Sequence, residues 1–132
     1  MTHHRNYQIR LESSPPSVRE ARRFFARVAD EVGVMPEQRG LGVLALSELV
    51  TNAIVHGTGP VEVRAVEEGR SIRWEVSDDN PELPRPRAAA PEEAGGRGLA
   101  IVAAVAEGWG YERSGVPRGK HVWFLLPVDD AG

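Results

Sequence analysis

Apolar and polar residues alternate along five short stretches of the chain, the pattern expected of half-buried β-strands. The first stretch places Tyr7, Ile9 and Leu11 on one side. The predicted strands are residues 7–11, 61–66, 72–76, 108–113 and 121–126. Residues 68–70 (Glu-Gly-Arg) and 115–119 (Gly-Val-Pro-Arg-Gly) are typical of the turns that join antiparallel strands.

Apolar residues recur at spacings of three and four between these strands, which indicates amphipathic helices. A first helix is predicted from about residue 18 to residue 32, with Ser17 or a neighbour as its N-cap. A second begins at Pro36, runs to about His56 and is ended by Gly57. A short apolar third helix is predicted at residues 99–107. The buried stripe of the second helix is expected to contain Leu41, Leu44, Leu46, Leu49, Val50, Ala53 and Ile54.

The resulting order is β-α-α-β-β-α-β-β, with strands in pairs and helices interspersed. This order predicts an α+β fold, a two-layer sandwich in which a mostly antiparallel sheet is covered on one face by helices. The 132 residues show no repeat or internal boundary, so a single domain over residues 1–132 is expected. Residues 79–95 hold several prolines and no helical stripe, and a loop of this length is usually a lid, a binding loop or disordered.

Composition narrows the class of protein. The chain is 41% hydrophobic and 27% charged, as is usual for a globular domain. A formal net charge of −3 argues against nucleic acid as the main partner, because phosphate backbones are bound chiefly by surplus Lys and Arg. The absence of cysteine excludes disulfides and thiolate metal sites. No window approaches the ~20 apolar residues that span a bilayer, so a soluble, cytoplasmic protein with no membrane partner is expected.

Glu48 and Asn52 are the first candidate functional residues. They stand four residues apart in the second predicted helix, so both side chains leave the same face, ~6 Å apart along the axis. A carboxylate that can accept a proton then lies beside a carboxamide oxygen that can bind a hard cation. This combination suits phosphoryl transfer, which depends mostly on positioning and on neutralisation of charge by a metal ion. Taken alone, the pair is more typical of a solvated helix face.

Three further features lie where a nucleotide site would need them. Asp78 follows the apolar strand 72–76 and can accept a hydrogen bond from an exocyclic amine such as that of adenine, or simply form a turn. Gly96-Arg97-Gly98 leads into the third predicted helix, whose N-terminus favours an anion, although Gly-x-Gly is also an ordinary loop end. The loop between them is long enough to fold over a ligand and exclude water.

Together these residues resemble a known family. Residues 48–57 (Glu-Leu-Val-Thr-Asn-Ala-Ile-Val-His-Gly) closely resemble the N-box of the GHKL ATPase superfamily, whose ATP-binding domain has the Bergerat fold. Within that superfamily, the small size and three further segments resemble the anti-sigma factor serine/threonine kinases. These segments are residues 76–84, 95–99 (Gly-Gly-Arg-Gly-Leu) and 119–124 (Gly-Lys-His-Val-Trp-Phe). The resemblance covers residues 17–126.

The resemblance implies a role for each matching residue. Glu48 corresponds to the general base that takes the proton from the attacking hydroxyl, and Asn52 to the ligand of Mg²⁺. Ala53 corresponds to a small residue lining the base pocket, and Asp78 to the adenine-binding aspartate. The implied cofactors are ATP and Mg²⁺, with residues 79–95 as the ATP lid. The segment on the phosphate side of the nucleotide corresponds to Gly96, Arg97, Gly98 and Leu99.

Several other residues have more than one possible role. Lys120 stands beside a glycine turn, where it can either reach a phosphate or be solvated. His56 is expected to pack or cap at the C-terminus of the second helix, where a cationic ring suits the helix dipole. Trp109 and Trp123 sit in apolar strand patterns and are expected in the core.

The chain departs from the family pattern in two places. The superfamily has Asp-x-Gly-x-Gly at the adenine segment, whereas residues 78–81 are Asp-Asp-Asn-Pro, as is usual in the anti-sigma branch. Some kinases of the branch place an Arg just before the glycine segment, whereas residues 92–94 are Glu-Glu-Ala. Unless Arg97 substitutes, one phosphate contact is missing.

The leading hypothesis is an ATP-binding serine/threonine protein kinase that acts as an anti-sigma regulatory factor. By the resemblance, its partners are a sigma factor and a STAS-type anti-anti-sigma antagonist that it phosphorylates, and a homodimer is a family expectation. The alternative is a nucleotide-binding regulatory module that sequesters a partner protein without kinase activity. A detached histidine-kinase catalytic domain is disfavoured, since the chain has no phosphoacceptor helical hairpin.

Overall fold

The computed structural model describes residues 5–57, 59–79, 108–114 and 119–128 of the chain. The five predicted strands and the first two predicted helices are present, most of them slightly longer than their sequence patterns. The third predicted helix and the loop at 80–95 lie outside the described residues. The elements are β1 (Asn6–Leu11), α1 (Pro16–Val32), α2 (Pro36–His56), β2 (Val61–Glu68), β3 (Ser71–Asp78), β4 (Gly108–Ser114) and β5 (Gly119–Pro127).

The strands form one sheet in the order β1-β2-β3-β5-β4, and each neighbouring pair is antiparallel. Strands β2 and β3 form a hairpin in which Glu68 pairs with Ser71, so the turn itself is Gly69-Arg70. Gly69 has a φ of 63°, a left-handed conformation that glycine adopts without steric cost. The sheet with α1 and α2 on one face confirms the predicted α+β two-layer sandwich.

The core lies between the sheet and these two helices. Trp74 of β3 is its largest fully buried side chain, and Phe25 of α1 stacks on the indole with ring centroids 4.5 Å apart. Gly42 lets α2 approach closely, because a Cβ there would lie 2.7 Å from Leu126 Cδ1 and 2.9 Å from Phe25 Cζ. Alternate residues of the central strands face this core: Val61, Val63, Ala65, Ile72, Trp74, Val76, Val122, Phe124 and Leu126.

The start of α1 differs from the prediction that Ser17 or a neighbour caps it. The N-cap position is Pro15, which makes no side-chain capping hydrogen bond, and Ser17 lies inside the first turn. Ser17 is buried, and its hydroxyl donates to the carbonyl of Glu12 at 2.7 Å. The serine therefore ties the helix to the end of β1 instead of capping it, and prolines at the start of the helix need no capped N–H.

The buried stripe predicted for α2 is wrong at two positions. Leu41 and Leu44 are 51% and 40% exposed, whereas Leu46, Leu49, Val50 and Ala53 are buried. Because α2 is apolar around most of its circumference, spacing alone does not determine which apolar residues face the sheet. The contacts of α2 with α1, β3 and β5 make that choice.

The opposite face of the sheet carries charged residues and one tryptophan. Arg73 lies between Glu75 (Nε to Oε2, 2.9 Å) and Glu68 (Nη1 to Oε2, 3.6 Å), and Arg64 pairs with Glu75 at 3.5 Å. The Arg73 guanidinium is 4.5 Å from the ring centroid of Trp123. Trp123 therefore lies outside the core, contrary to the prediction, because it alternates with the inward-facing Val122 and Phe124. Trp109 does pack against the core, as predicted.

Candidate functional site

The α2 helix presents the candidate catalytic residues on one face. Glu48, Asn52 and His56 follow each other at intervals of four residues, so they line up along the helix. Glu48 and Asn52 are half-buried, while His56 is exposed in the last turn. The packing of the opposite side of α2 on β3 and β5 holds the helix against the sheet. The common face predicted for Glu48 and Asn52 is therefore present; their chemical roles stay predictions.

Hydrogen bonds from neighbouring hydroxyls fix this part of the helix. The hydroxyl of Ser47, buried beside Glu48 in the chain, donates to the carbonyl of Val43 at 2.7 Å. Arg22 of α1 donates through Nε to the same hydroxyl at 2.9 Å. Thr51 in turn donates to the carbonyl of Ser47 at 2.8 Å. The turn that carries Glu48 is thus tied to α1, which restricts its rotation about the helix axis.

Asp78 lies inside β3 instead of following it, because the strand extends two residues beyond the predicted end at residue 76. It is the last residue of β3 and not the first residue of a turn, and it is only 6% exposed. Its side chain points to the helix-covered face, in line with Ile72, Trp74 and Val76. A buried carboxylate needs a compensating partner, because removing its charge from water is costly.

Lys120 of β5 is that partner. The two residues are opposite each other in the β3–β5 register. The Lys120 ammonium donates to Asp78 Oδ1 at 3.1 Å and lies 2.9 Å from Oδ2. Lys120 is itself only 8% exposed, so the possibility that it is a solvated turn residue is wrong. Contact with a phosphate, the role predicted for it, stays untested.

The end of α2 packs directly on this pair. The N–H of Gly57 donates to the carbonyl of Ala53 at 3.0 Å and closes the helix. Its φ of −88° is accessible to any residue, so conformation does not explain the glycine. Space does: a Cβ at Gly57 would overlap the Ala53 carbonyl and lie 2.7 Å from Asp78 Cγ and 2.9 Å from Oδ2. The absence of a side chain at Gly57 lets the backbone approach the Asp78 carboxylate.

The sequence analysis did not find the Asp78–Lys120 pair or the reason for Gly57. A signal for the pair was present, because Asp78 continues the alternation of Trp74 and Val76, and Lys120 continues that of Val122. This parity places both charged residues on the core face. What it does not show is that β5, 42 residues further along, lies next to β3 in this register.

The structure describes only some of the predicted site residues. Ala53 is buried in the hydrophobic core at the C-terminal end of α2, next to Gly57. Gly96, Arg97, Gly98 and Leu99 lie outside the described residues, as does the lid apart from Asp79. No cluster of three or more His, Cys, Asp or Glu suited to a metal occurs within the described ranges. None of the helices described there is long and apolar enough to cross a membrane.

The residues present fit a purine nucleotide with a hard cation. The buried acceptor Asp78 packs against the Gly57 backbone, and its carboxylate can accept a hydrogen bond from the exocyclic amine of a base. The carboxamide oxygen of Asn52 is a donor of the kind that Mg²⁺ prefers, and the Glu48 carboxylate lies on the same helix face. The fold is an α+β sandwich, and these side chains are compatible with a nucleotide ligand.

Comparison with known proteins gives the family. The model of the histidine kinase-like ATPase domain matches residues 11–126, which is most of the chain, and the protein belongs to this family. ATP is accordingly the ligand class of the domain, and the resemblance to the GHKL superfamily is confirmed. A search of curated proteins gives no match.

A solved structure supports the same fold. The chain is similar to the RsbU and RsbW domains of Rv1364c from Mycobacterium tuberculosis, with a TM-score of 0.71 and 20% sequence identity. The similarity covers 94% of this chain and 32% of that one, so this chain spans about a third of its length. At this identity the match establishes the Bergerat-type fold and not the activity.

Proposed function

We propose that the protein is an ATP-dependent serine/threonine kinase that acts as an anti-sigma regulatory factor. Its proposed substrate is a Ser or Thr of a STAS-type anti-anti-sigma antagonist, and its second partner is a sigma factor. The observation that carries the proposal is the Glu48/Asn52 pair on one face of α2 in an ATPase-family domain. The anti-sigma branch rests on the motif resemblance of residues 76–84, 95–99 and 119–124.

Glu48 acts as the general base in this proposal. As the substrate hydroxyl oxygen bonds to the γ-phosphorus of ATP, the bond from that phosphorus to the β–γ bridging oxygen breaks and ADP leaves. The Glu48 carboxylate takes the hydroxyl proton. The hydrogen bonds from Arg22 to Ser47 and from Ser47 to Val43 support this role, because they hold the turn that carries Glu48 in place.

Asn52 would hold Mg²⁺ through its carboxamide oxygen. The metal, when bound, neutralises phosphate charge. One turn of helix separates Asn52 from Glu48, so metal and base would act from the same side of α2. At the other end of the site, Asp78 and Ala53 are proposed to receive the adenine. Gly96, Arg97, Gly98 and Leu99 are proposed for the phosphates on sequence grounds alone.

The kinase claim is tested by phosphate transfer from γ-labelled ATP with Mg²⁺ to candidate STAS antagonists. Glu48→Ala should abolish transfer and leave ATP affinity, measured by calorimetry, within a few fold of the original. Glu37→Ala is the matched control, since Glu37 is an exposed carboxylate in the first turn of the same helix. Transfer that persists in Glu48→Ala would refute the base role, and no transfer to any protein would refute the kinase activity.

A nucleotide-binding module without kinase activity is the second candidate. The Glu-Glu-Ala sequence at residues 92–94 favours it, because some kinases of the branch have an Arg in that region. In that case Mg·ATP should raise the melting temperature and alter capture of a sigma factor, with no phosphate transferred. Sedimentation with and without ATP would show at the same time whether the homodimer expected from the family forms.

A further inference from the structure

Burying the Asp78–Lys120 pair costs desolvation free energy, and a contribution to folding stability does not by itself explain the pair. Replacing a buried ion pair with apolar residues of similar volume is often neutral or stabilising, so such a pair is weak evidence for a role in folding. The two side chains nevertheless sit on the core face of the sheet, at its end, against the close of α2. Asp78 and Lys120 are only 6% and 8% exposed.

The pair offers one hydrogen-bond acceptor and one donor side by side. An ammonium group carries three N–H donors. Within the described residues, Lys120 Nζ contacts one acceptor group, the Asp78 carboxylate. The distances are 3.1 Å to Oδ1 and 2.9 Å to Oδ2. At least one donor of Lys120 is therefore left for a ligand that approaches the carboxylate. A ligand that suits both side chains presents a donor next to an acceptor.

The Watson–Crick edge of adenine has that arrangement, with the exocyclic amine beside the ring nitrogen N1. We propose that Lys120 is a base-recognising residue, whose ammonium donates to adenine N1 while Asp78 accepts from the exocyclic amine. This inference rests on the proposed ATP site and moves Lys120 from the phosphate end, where its sequence position suggested it, to the base end. It explains why a lysine is buried on the core face at this register position.

The test uses an ATP analogue that lacks only the N1 acceptor. The unmodified protein should bind 1-deaza-ATP about 10- to 100-fold more weakly than ATP in calorimetry, the usual worth of a hydrogen bond from a charged donor. Equal affinities for the two nucleotides would overturn the role of Lys120 and leave the ATP site standing. If ATP itself does not bind, the proposed function fails, and that outcome is distinct.

Two variants sharpen the test. Lys120→Met should bind ATP and 1-deaza-ATP within about twofold of each other, whereas the control Arg64→Met, which removes a cation from the opposite face, should keep the full discrimination. Circular dichroism establishes that each variant is folded. Lys120→Met should also weaken the binding of adenosine and the binding of ATP by the same factor. A loss of affinity for ATP but not for adenosine would indicate a phosphate contact and overturn the inference.

Discussion

Charged side chains pair on both faces of the sheet, in very different surroundings. On the outer face, Arg64, Glu75, Arg73 and Glu68 form a line of partly exposed ion pairs across β2 and β3. On the helix-covered face of the described strands, Asp78 and Lys120 form one pair that is almost completely buried. Water screens the outer pairs, and each contributes little to stability. The inner pair has lost its hydration, so each partner depends on the other.

The comparison separates ion pairs in partial contact with water from an ion pair held on the core face of the sheet. The outer pairs keep partial contact with water, so breaking one of them should cost little. Breaking the inner pair should cost more, since a buried charge would lose the partner that lies 2.9 Å away. This buried pair beside the Gly57 backbone is the location of the ligand recognition that we propose.

The largest expected effect comes from breaking the inner pair. Lys120→Met leaves the Asp78 carboxylate buried without its cation and should lower the free energy of unfolding by about 3–5 kcal/mol. Asp78→Asn combined with Lys120→Met should recover much of that loss, because no net charge remains. Urea denaturation measures both changes in the free energy of unfolding, provided that the slope of this free energy against urea concentration is the same in every variant. On the outer face, Arg64→Met should cost less than about 1 kcal/mol, and losses of equal size on the two faces would invalidate the comparison.

Filling the space beside the inner pair should have the next largest effect. Gly57→Ala forces a methyl group against the Asp78 carboxylate and the Ala53 carbonyl, and should destabilise by about 1–3 kcal/mol. Gly40→Ala, in the same helix with nothing within 4 Å of the added Cβ, should instead stabilise by about 0.5–1 kcal/mol. Thermal unfolding followed by circular dichroism compares the two. Similar shifts in both variants would mean that Gly57 is not packed as described.

Arg73→Met tests the outer face at its most connected residue. The change removes ion pairs with Glu75 and Glu68 and the stacking on Trp123, and should cost about 1 kcal/mol in low salt. In 1 M salt, where the Debye length falls to about 3 Å, this cost should shrink. The cost of Lys120→Met should persist, because buried pairs are screened much less. If salt reduced the cost of Lys120→Met as much as the cost of Arg73→Met, the result would contradict the burial of the inner pair.

The smallest effect is expected at Tyr7, at the edge of the helix-covered face. Burial first, and a hydrogen bond to Glu31 second, raise the pKa of the Tyr7 phenol above its usual value near 10, against the opposing charge of Arg5. The folded state therefore favours the neutral phenol. Stability from this group is complete below pH 10 and is lost as the pH rises through the raised pKa.

Ultraviolet absorbance of tyrosinate during an alkaline titration reports both tyrosines, and the difference between the original protein and Tyr7→Phe gives the Tyr7 pKa. Tyr7→Phe should remove that titration step and flatten the corresponding part of the curve of unfolding free energy against pH. An ordinary pKa for Tyr7 would show that burial at this edge of the sheet does not disfavour the charged phenolate.

The sequence predicted most of the fold because the information needed was local. Alternation identified all five strands, and helical spacing located α1 and α2 within a few residues. The same spacing placed Glu48 and Asn52 on one face of α2, since positions four apart in a helix are neighbours whatever surrounds them. The local pattern predicted the wrong face for Leu41 and Leu44 on α2 and for Trp123 on β5. At these positions, the core face and the solvent face were equally plausible from the sequence.

What the sequence determined by itself is therefore the set of elements, the family motif of residues 48–57 and the parity that turns Asp78 and Lys120 inward. Only the tertiary structure decided that β5 lies beside β3, so that these two charges meet, and that α2 ends against them at Gly57. The physical reason is that parity and helical spacing are properties of a few consecutive residues. Strand order and helix packing instead follow from how the whole chain buries its apolar surface, and a contact between residues 42 positions apart follows from that burial.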